Sequence, residues 1–248
     1  MSLSKYKLFY DKNGFVIVKK LLNEKNIDKV VNEIEIIKNK VQKLKNRKFF
    51  HKTDKGDINS IHNIQEFFTK GEITNLTKNV KLNQIVKKLI NKNSKVRNIE
   101  FFLKPAKTGL SAPFHQDNYY WNIINAEALN IWIACSDANK DNGGVCYYKG
   151  SQNLGLIKHS ISNAKGTSQK IPENILKKLN FQKVYPKLKK GDCIFHHPEV
   201  IHGSHKNKSN IDRIGLAVSY AANNHKIDKQ MQMRYQKSLK KSLNNIYK

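Results

Sequence analysis

In the first third of the chain apolar residues recur at helical spacing; beyond residue 95 they fall in short runs separated by turn residues. Between residue 23 and about residue 45, Ile27, Val30, Val31, Ile34, Ile37, Val41 and Leu44 share one face of a 3.6-residue period. That spacing predicts a helix, with Asn23 and Asn26 as candidate caps. Ahead of it, residues 3–22 read as a short helical start and then a strand, "GFVIVKKLL", with Gly14 at the turn. Residues 46–60 are polar and loop-like, and 61–69 and 79–92 read as short helices. Strand signals then take over: "VRNIEFFLKP" closed by Pro105, "PFHQDNYY", "ALNIWIACSD", "VCYYKGS", "GDCIFHH", "EVIHGSH" and "RIGLAVSYAA". Gly143, Gly144 and Gly150 mark turns or bulges between them. Residues 158–182 read as a polar insertion with a short helix at 172–179, and 226–248 as a basic, helix-permissive tail.

Helices first and strands afterward predict one antiparallel β domain with flanking helices. Its expected parts are a helical segment 1–94, a β core 95–222 and a basic tail 223–248. No apolar run approaches the ~18 residues of a membrane-spanning helix, and the first residues do not read as a signal peptide. Cys135, Cys146 and Cys193 form no CxxC pair and lie in expected strands, so they read as buried, reduced thiols of a cytoplasmic protein. Neither a Walker phosphate loop nor a dinucleotide-binding glycine fingerprint occurs.

Charge changes the picture less than its size suggests. Against 19 acidic residues stand 46 basic ones, a formal net charge of +27. Only Arg47, Arg97, Arg213 and Arg234 are arginine, and the lysines are scattered rather than clustered with aromatics. A nucleic-acid surface usually concentrates both, so compositional bias toward lysine is favoured over a nucleic-acid partner. The positive field still favours an anionic small-molecule substrate.

The candidate chemistry lies in His115-Gln116-Asp117, in His202, 85 residues after Asp117, and in Arg213, eleven residues further. Residues i and i+2 of a strand point to one face. His115 and Asp117 are therefore expected to aim at one point, where a histidine from a distant strand completes a two-histidine, one-carboxylate set. Such a set binds Fe(II) and leaves positions open for a 2-oxo acid and O2. His196, His197 and His205 compete with His202 for the distal place, some at zinc-like spacings. Arg213 offers a planar cation for the far carboxylate of the 2-oxo acid.

The blocks "APFHQDNYYW", "LNIWIACSDANKDNGGVCYYKGSQNLGLIKH" and "LKKGDCIFHHPEVIHGSHKNKSNIDRIGLAVSY" resemble the phytanoyl-CoA dioxygenase family of Fe(II)/2-oxoglutarate oxygenases over about residues 95–222, with a weaker match in "FYDKNGFVIVKKLLNEKNI". The resemblance implies a mainly β fold: a double-stranded β-helix, the cupin-like jelly roll, with the metal at its open end. It implies Fe(II) held by His115, Asp117 and His202, since "IHGS" matches the family's distal histidine. It implies 2-oxoglutarate as cosubstrate, bound by Arg213 with Ser204 and Lys104, and O2 as oxidant. The retained carboxylate of Asp117 points to oxygen transfer, whereas related halogenases lack it. Asn118, Tyr119 and Trp121 are the expected substrate contacts, and hydroxylation of a small metabolite is the expected activity. A catalytically silent metal-binding jelly roll, or a basic nucleic-acid-associated protein, is the alternative.

Overall fold

In a computed structural model describing residues 2–43 and 49–246, helix α1 (Leu3–Asn13) starts at Ser2, whose hydroxyl accepts the Lys5 N–H, and ends at Gly14, whose φ of 78° turns the chain into strand β1 (Phe15–Val18). Asn23 caps α2 (Glu24–Gln42) by accepting the Lys25 N–H. Ile27, Val30, Ile34, Ile37 and Val41 form the buried face of α2, as their spacing predicts; Leu44 and Lys45 lie outside the described residues. The loop expected over 46–60 instead contains strands β2 (Phe50–Lys52) and β3 (Ile58–Ile61), whose pairing with each other and with β4 the short polar sequence does not announce. A 3-10 turn (Ile64–Glu66) stands where a helix over 61–69 is expected. Helices α3 (Glu72–Thr77) and α4 (Val80–Ile90) follow, the latter capped by Asn79.

The remaining elements are β4 (Ser94–Lys104), β5 (Ala112–His115), α5 (Asn118–Trp121), β6 (Ala128–Ala134), β7 (Val145–Tyr148), β8 (Ser160–Ala164), β9 (Thr167–Lys170), α6 (Glu173–Leu176), β10 (Lys183–Val184), β11 (Cys193–His196), β12 (His202–Ser204), β13 (Arg213–Ala222) and α7 (Lys229–Ile246). A seven-stranded sheet runs β1-β11-β6-β13-β4-β3-β2, and a four-stranded sheet runs β10-β7-β12-β5. All these pairings are antiparallel. The sheet therefore extends into the stretch 1–94, which supplies β1, β2 and β3 as well as helices.

Alternation along the central strands sorts their side chains. Leu129, Ile131 and Ile133 of β6 join Phe101, Leu216 and Val218 in one apolar layer with the inner faces of α2 and α4. Trp132, Tyr147, Ile194 and Val200 form a second cluster with Phe15. Further along the same faces the side chains become polar, and these line a cavity of about 450 Å³. The stretch 158–182, expected as a polar insertion, folds as the hairpin β8–β9 and the short α6. The hairpin and α7 both reach the cavity, through Lys165 and Thr167 and through Tyr235 and Leu239. Gln169 and Ser162 tie the hairpin to Ser238 and Ser242 of α7. No helix among the described residues is long and apolar enough to cross a membrane.

Candidate metal and cosubstrate centre

His115 ends β5 and His202 begins β12, and the two are direct cross-strand partners, with ring centroids 4.4 Å apart. Gly203 allows this approach, because a Cβ there would meet the Ala112 carbonyl oxygen at 2.9 Å. Each imidazole has its Nδ1 against a backbone carbonyl, Pro113 O at 2.7 Å and Val200 O at 3.0 Å. A carbonyl only accepts, so Nδ1 carries the proton and Nε2 keeps its lone pair for a metal.

Asp117 departs from the strand expectation. β5 stops at His115, and Asp117 has helical dihedrals (φ −59°, ψ −37°) at the start of α5. The carboxylate reaches the histidines through a turn, not by strand alternation. Gln116 makes the turn: its side chain donates to Gly155 O and Glu199 O and accepts from Ile157 N–H, while its own N–H meets His159 Nε2. The Asp117 carbonyl then accepts from Tyr120 and Trp121 N–H. Oδ1 of Asp117 lies 3.5 Å from both His115 Nε2 and His202 Nε2. Oδ2 is held at 3.0 Å by the Asn130 amide and at 3.1 Å by His196 Nε2, whose Nδ1 lies 2.9 Å from the Tyr147 hydroxyl. One potential ligand atom from each of His115, Asp117 and His202 lies within 4.8 Å of the others.

The electrostatics suit a cation. Burial by itself raises the Asp117 carboxyl, but the surrounding histidines, with His196 bonded to its Oδ2, hold it well below the usual carboxylate range. Burial pushes His202 down to about 3, so its imidazole is neutral. This set of two imidazoles and one carboxylate on a shared cavity fits Fe(II).

Beside it stand two buried cations. Arg213 and Lys104 face each other across β13 and β4, and both line the cavity. Arg213 donates to Phe102 O and Gly143 O, while its buried Nε has no partner. Lys104 donates to Ser204 Oγ at 2.6 Å and His205 O at 2.5 Å. Burial brings Arg213 down to about 9, and burial together with Arg213 lowers Lys104 well below its usual range. Neither makes an ion pair among the described residues. Two neighbouring buried cations without a carboxylate form a site that calls for an anion, and a 2-oxo dicarboxylate fits it.

Of the expected substrate contacts, Trp121 lines the cavity, and so does Tyr120 beside it. Asn118 does not: its amide bonds to Glu199 and Ile123, bracing the turn. Tyr119 turns away to stack on His159, centroids 4.0 Å apart. Among the rival histidines, His196 supports Asp117, His197 packs against Tyr10 outside the cavity, and His205 stacks on Tyr185. Sequence reasoning misses Asn130 and His196 as supports and Arg97, Glu100 and His62 as cavity residues. Asn130 carries a signal: it is a polar residue at an alternating position within the apolar strand "ALNIWIA".

The jelly-roll layering and this centre define the class, a non-haem Fe(II)- and 2-oxoglutarate-dependent oxygenase. The phytanoyl-CoA dioxygenase (PhyH) family model matches residues 10–215, and the chain belongs to that family. The peroxisomal phytanoyl-CoA dioxygenase of Bos taurus is 26% identical over 232 residues, covering 89% of this chain and 69% of the relative. The solved structure of EctD from S. alaskensis with 2-oxoglutarate and 5-hydroxyectoine has a TM-score of 0.76 at 16% identity, covering 92% of this chain and 78% of that one. The epimerase SnoN in complex with Fe3+, alpha ketoglutarate and nogalamycin RO has a TM-score of 0.72 at 17% identity, covering 91% and 85%. At these identities the two structures establish a shared fold.

Proposed function

We propose that the chain hydroxylates a small, anionic metabolite, with His115, Asp117 and His202 as the iron ligands and Arg213, Lys104 and Ser204 as the 2-oxoglutarate site. The observation that carries this reading is the juxtaposition, in one cavity, of the three convergent ligand atoms and the two unpaired buried cations. Bound together, Fe(II) and 2-oxoglutarate supply the oxidising chemistry: O2 gives one oxygen atom to succinate, formed with CO2, and the other to a substrate C–H bond. The protein's share is placement and exclusion of water. Pro113 O and Val200 O set both histidine tautomers, and Asn130 and His196 turn Asp117 Oδ1 toward them. Arg213 and Lys104 fix the cosubstrate by charge-assisted bonds. The hairpin β8–β9 and α7 close the substrate side. The helical segment 1–94 and the tail 223–248 act with the core as one domain in this reading, since each contributes to the sheet or to the cavity wall. The three buried free cysteines support a reducing, cytoplasmic setting.

The test is anaerobic titration of the Fe(II)-loaded protein with 2-oxoglutarate, monitored by the weak visible charge-transfer band of a chelated 2-oxo acid. We expect a saturable band that is lost in Asp117→Ala and His202→Ala. In Arg213→Ala it should need more cosubstrate, by about 1.5–3 kcal/mol of binding for each charge-assisted bond removed. Tight metal binding with no band in the wild-type protein would refute the assignment.

A further inference from the structure

On the substrate side of the cavity, Arg97 is a cation that makes no ion pair among the described residues, with the carboxylates of Glu100 and Asp117 near enough to attract it. Ser219 of β13 faces Asn98 of β4, and the next residue, Tyr220, faces Val96, which makes Arg97 the extra residue of a β-bulge. Regular alternation sends consecutive residues to opposite faces. With the bulge, Val96 packs on the apolar layer while Arg97 and Asn98 both line the cavity, followed by Glu100 and Phe102. The guanidinium carbon lies 5.0 Å from the Trp121 ring centre, and the group makes no hydrogen bond or ion pair among the described residues. Stacking on an aromatic face leaves its N–H donors free for a planar anion.

Three residues on, Glu100 uses one carboxylate oxygen. Its Oε1 lies 2.7 Å from His62 Nδ1, and His62 Nε2 lies 2.8 Å from Ser60 Oγ. Its Oε2 has no partner among the described residues, and no bond joins Glu100 to Arg97. A cation and an anion thus stand on one wall, each with unused bonding capacity, in a cavity of about 450 Å³ that the cosubstrate must share. The carboxylates of 2-oxoglutarate are already provided for by Arg213 and Lys104.

We infer that Arg97 and Glu100 form the two poles of a substrate subsite for a compact zwitterion, with its carboxylate on Arg97 and its ammonium group on Glu100. This rests on the oxygenase reading above and replaces its anionic metabolite with one whose carboxylate is balanced by an ammonium group. A doubly charged phosphate placed on Arg97 would be repelled by the neighbouring Glu100, whereas an amino acid satisfies both groups. Its size follows from the volume of the cavity, which suits a small metabolite.

The test uses Fe(II)-loaded protein with 2-oxoglutarate and a panel of compact L-amino and imino acids, reading succinate formed above the substrate-free rate. Every compound that responds is retested as its methyl ester, its N-acetyl derivative, its deaminated acid and its aminophosphonate. We expect at least one zwitterion to stimulate succinate formation and its blocked forms to fail. Arg97→Ala should raise its KM about tenfold or more, with Arg97→Lys recovering part. Glu100→Gln should narrow the preference for the amino acid over the deaminated acid. Thermal melting checks that each variant is folded. Substrate-free succinate formation with no response to any zwitterion would overturn the inference while leaving the oxygenase reading standing. An unmoved KM in folded Arg97→Ala, undiminished turnover of the ester, or preference for the aminophosphonate would overturn it as well. A wild-type protein with neither charge-transfer band nor succinate formation fails the oxygenase reading itself, and the inference with it.

Discussion

Asp117 divides its carboxylate between two tasks. Oδ1 faces His115 and His202, and Oδ2 accepts from Asn130 and His196. Groups that orient a ligand set metal affinity nearly as strongly as the ligands do. Asn130→Ala is therefore expected to weaken Fe(II) binding about 10–100-fold, measured by competition with a chelator. Lys104 carries a pH dependence. Burial and Arg213 hold its pKa well below the usual range in the free site, whereas a bound dianion favours the charged form. As pH rises through that lowered pKa, the free site loses its cation and binding must take up a proton. 2-Oxoglutarate affinity should fall with rising pH, and Lys104→Met should flatten the fall; equal slopes in both proteins would show that another group titrates. His115, Asp117, His202 and Arg213, which the fold gathers at one cavity, stand in short motifs that the sequence already displays; their roles as ligands and anchor belong to the proposal above. The place of Arg97 on the cavity wall was not legible, because it depends on a bulge that only strand pairing reveals.

At the scale of elements, helical periodicity was a reliable guide where it was long. The face of α2 named by spacing is the buried one, and Ile34 is fully buried at the centre of the apolar layer. Ile34→Ala should cost about 2–5 kcal/mol of stability, read as a lower urea midpoint at unchanged slope. A cost below ~1 kcal/mol would mean that α2 contributes little to the layer. Short elements were read less well. β2, β3 and the hairpin β8–β9 are three to five residues long and polar, so they carry no periodic signal and exist through their partners. The strand expected to carry both His115 and Asp117 breaks between them, because Gln116 is drawn into bonds with Gly155, Ile157 and Glu199, residues remote in sequence.

For the whole molecule, the cosubstrate site proposed at the buried pair Arg213 and Lys104 predicts that stability depends on ligand. A cosubstrate that binds only the folded state should raise the melting temperature in the presence of metal, by about 2.7 kcal/mol of stabilisation at a hundredfold excess over its dissociation constant. A melting point that does not move with 2-oxoglutarate would argue against binding at this pair. The antiparallel β class, the principal helices and the residues of the metal motif were set by local pattern: side-chain periodicity follows directly from backbone geometry, and a short motif travels intact in the sequence. Tertiary structure alone decided which side chains share the cavity, how Asp117 turns toward the two histidines, and that a polar hairpin and a basic tail helix contribute to its wall. Those features arise from hydrogen bonds and packing between residues far apart in the chain, whose pairing no local pattern encodes.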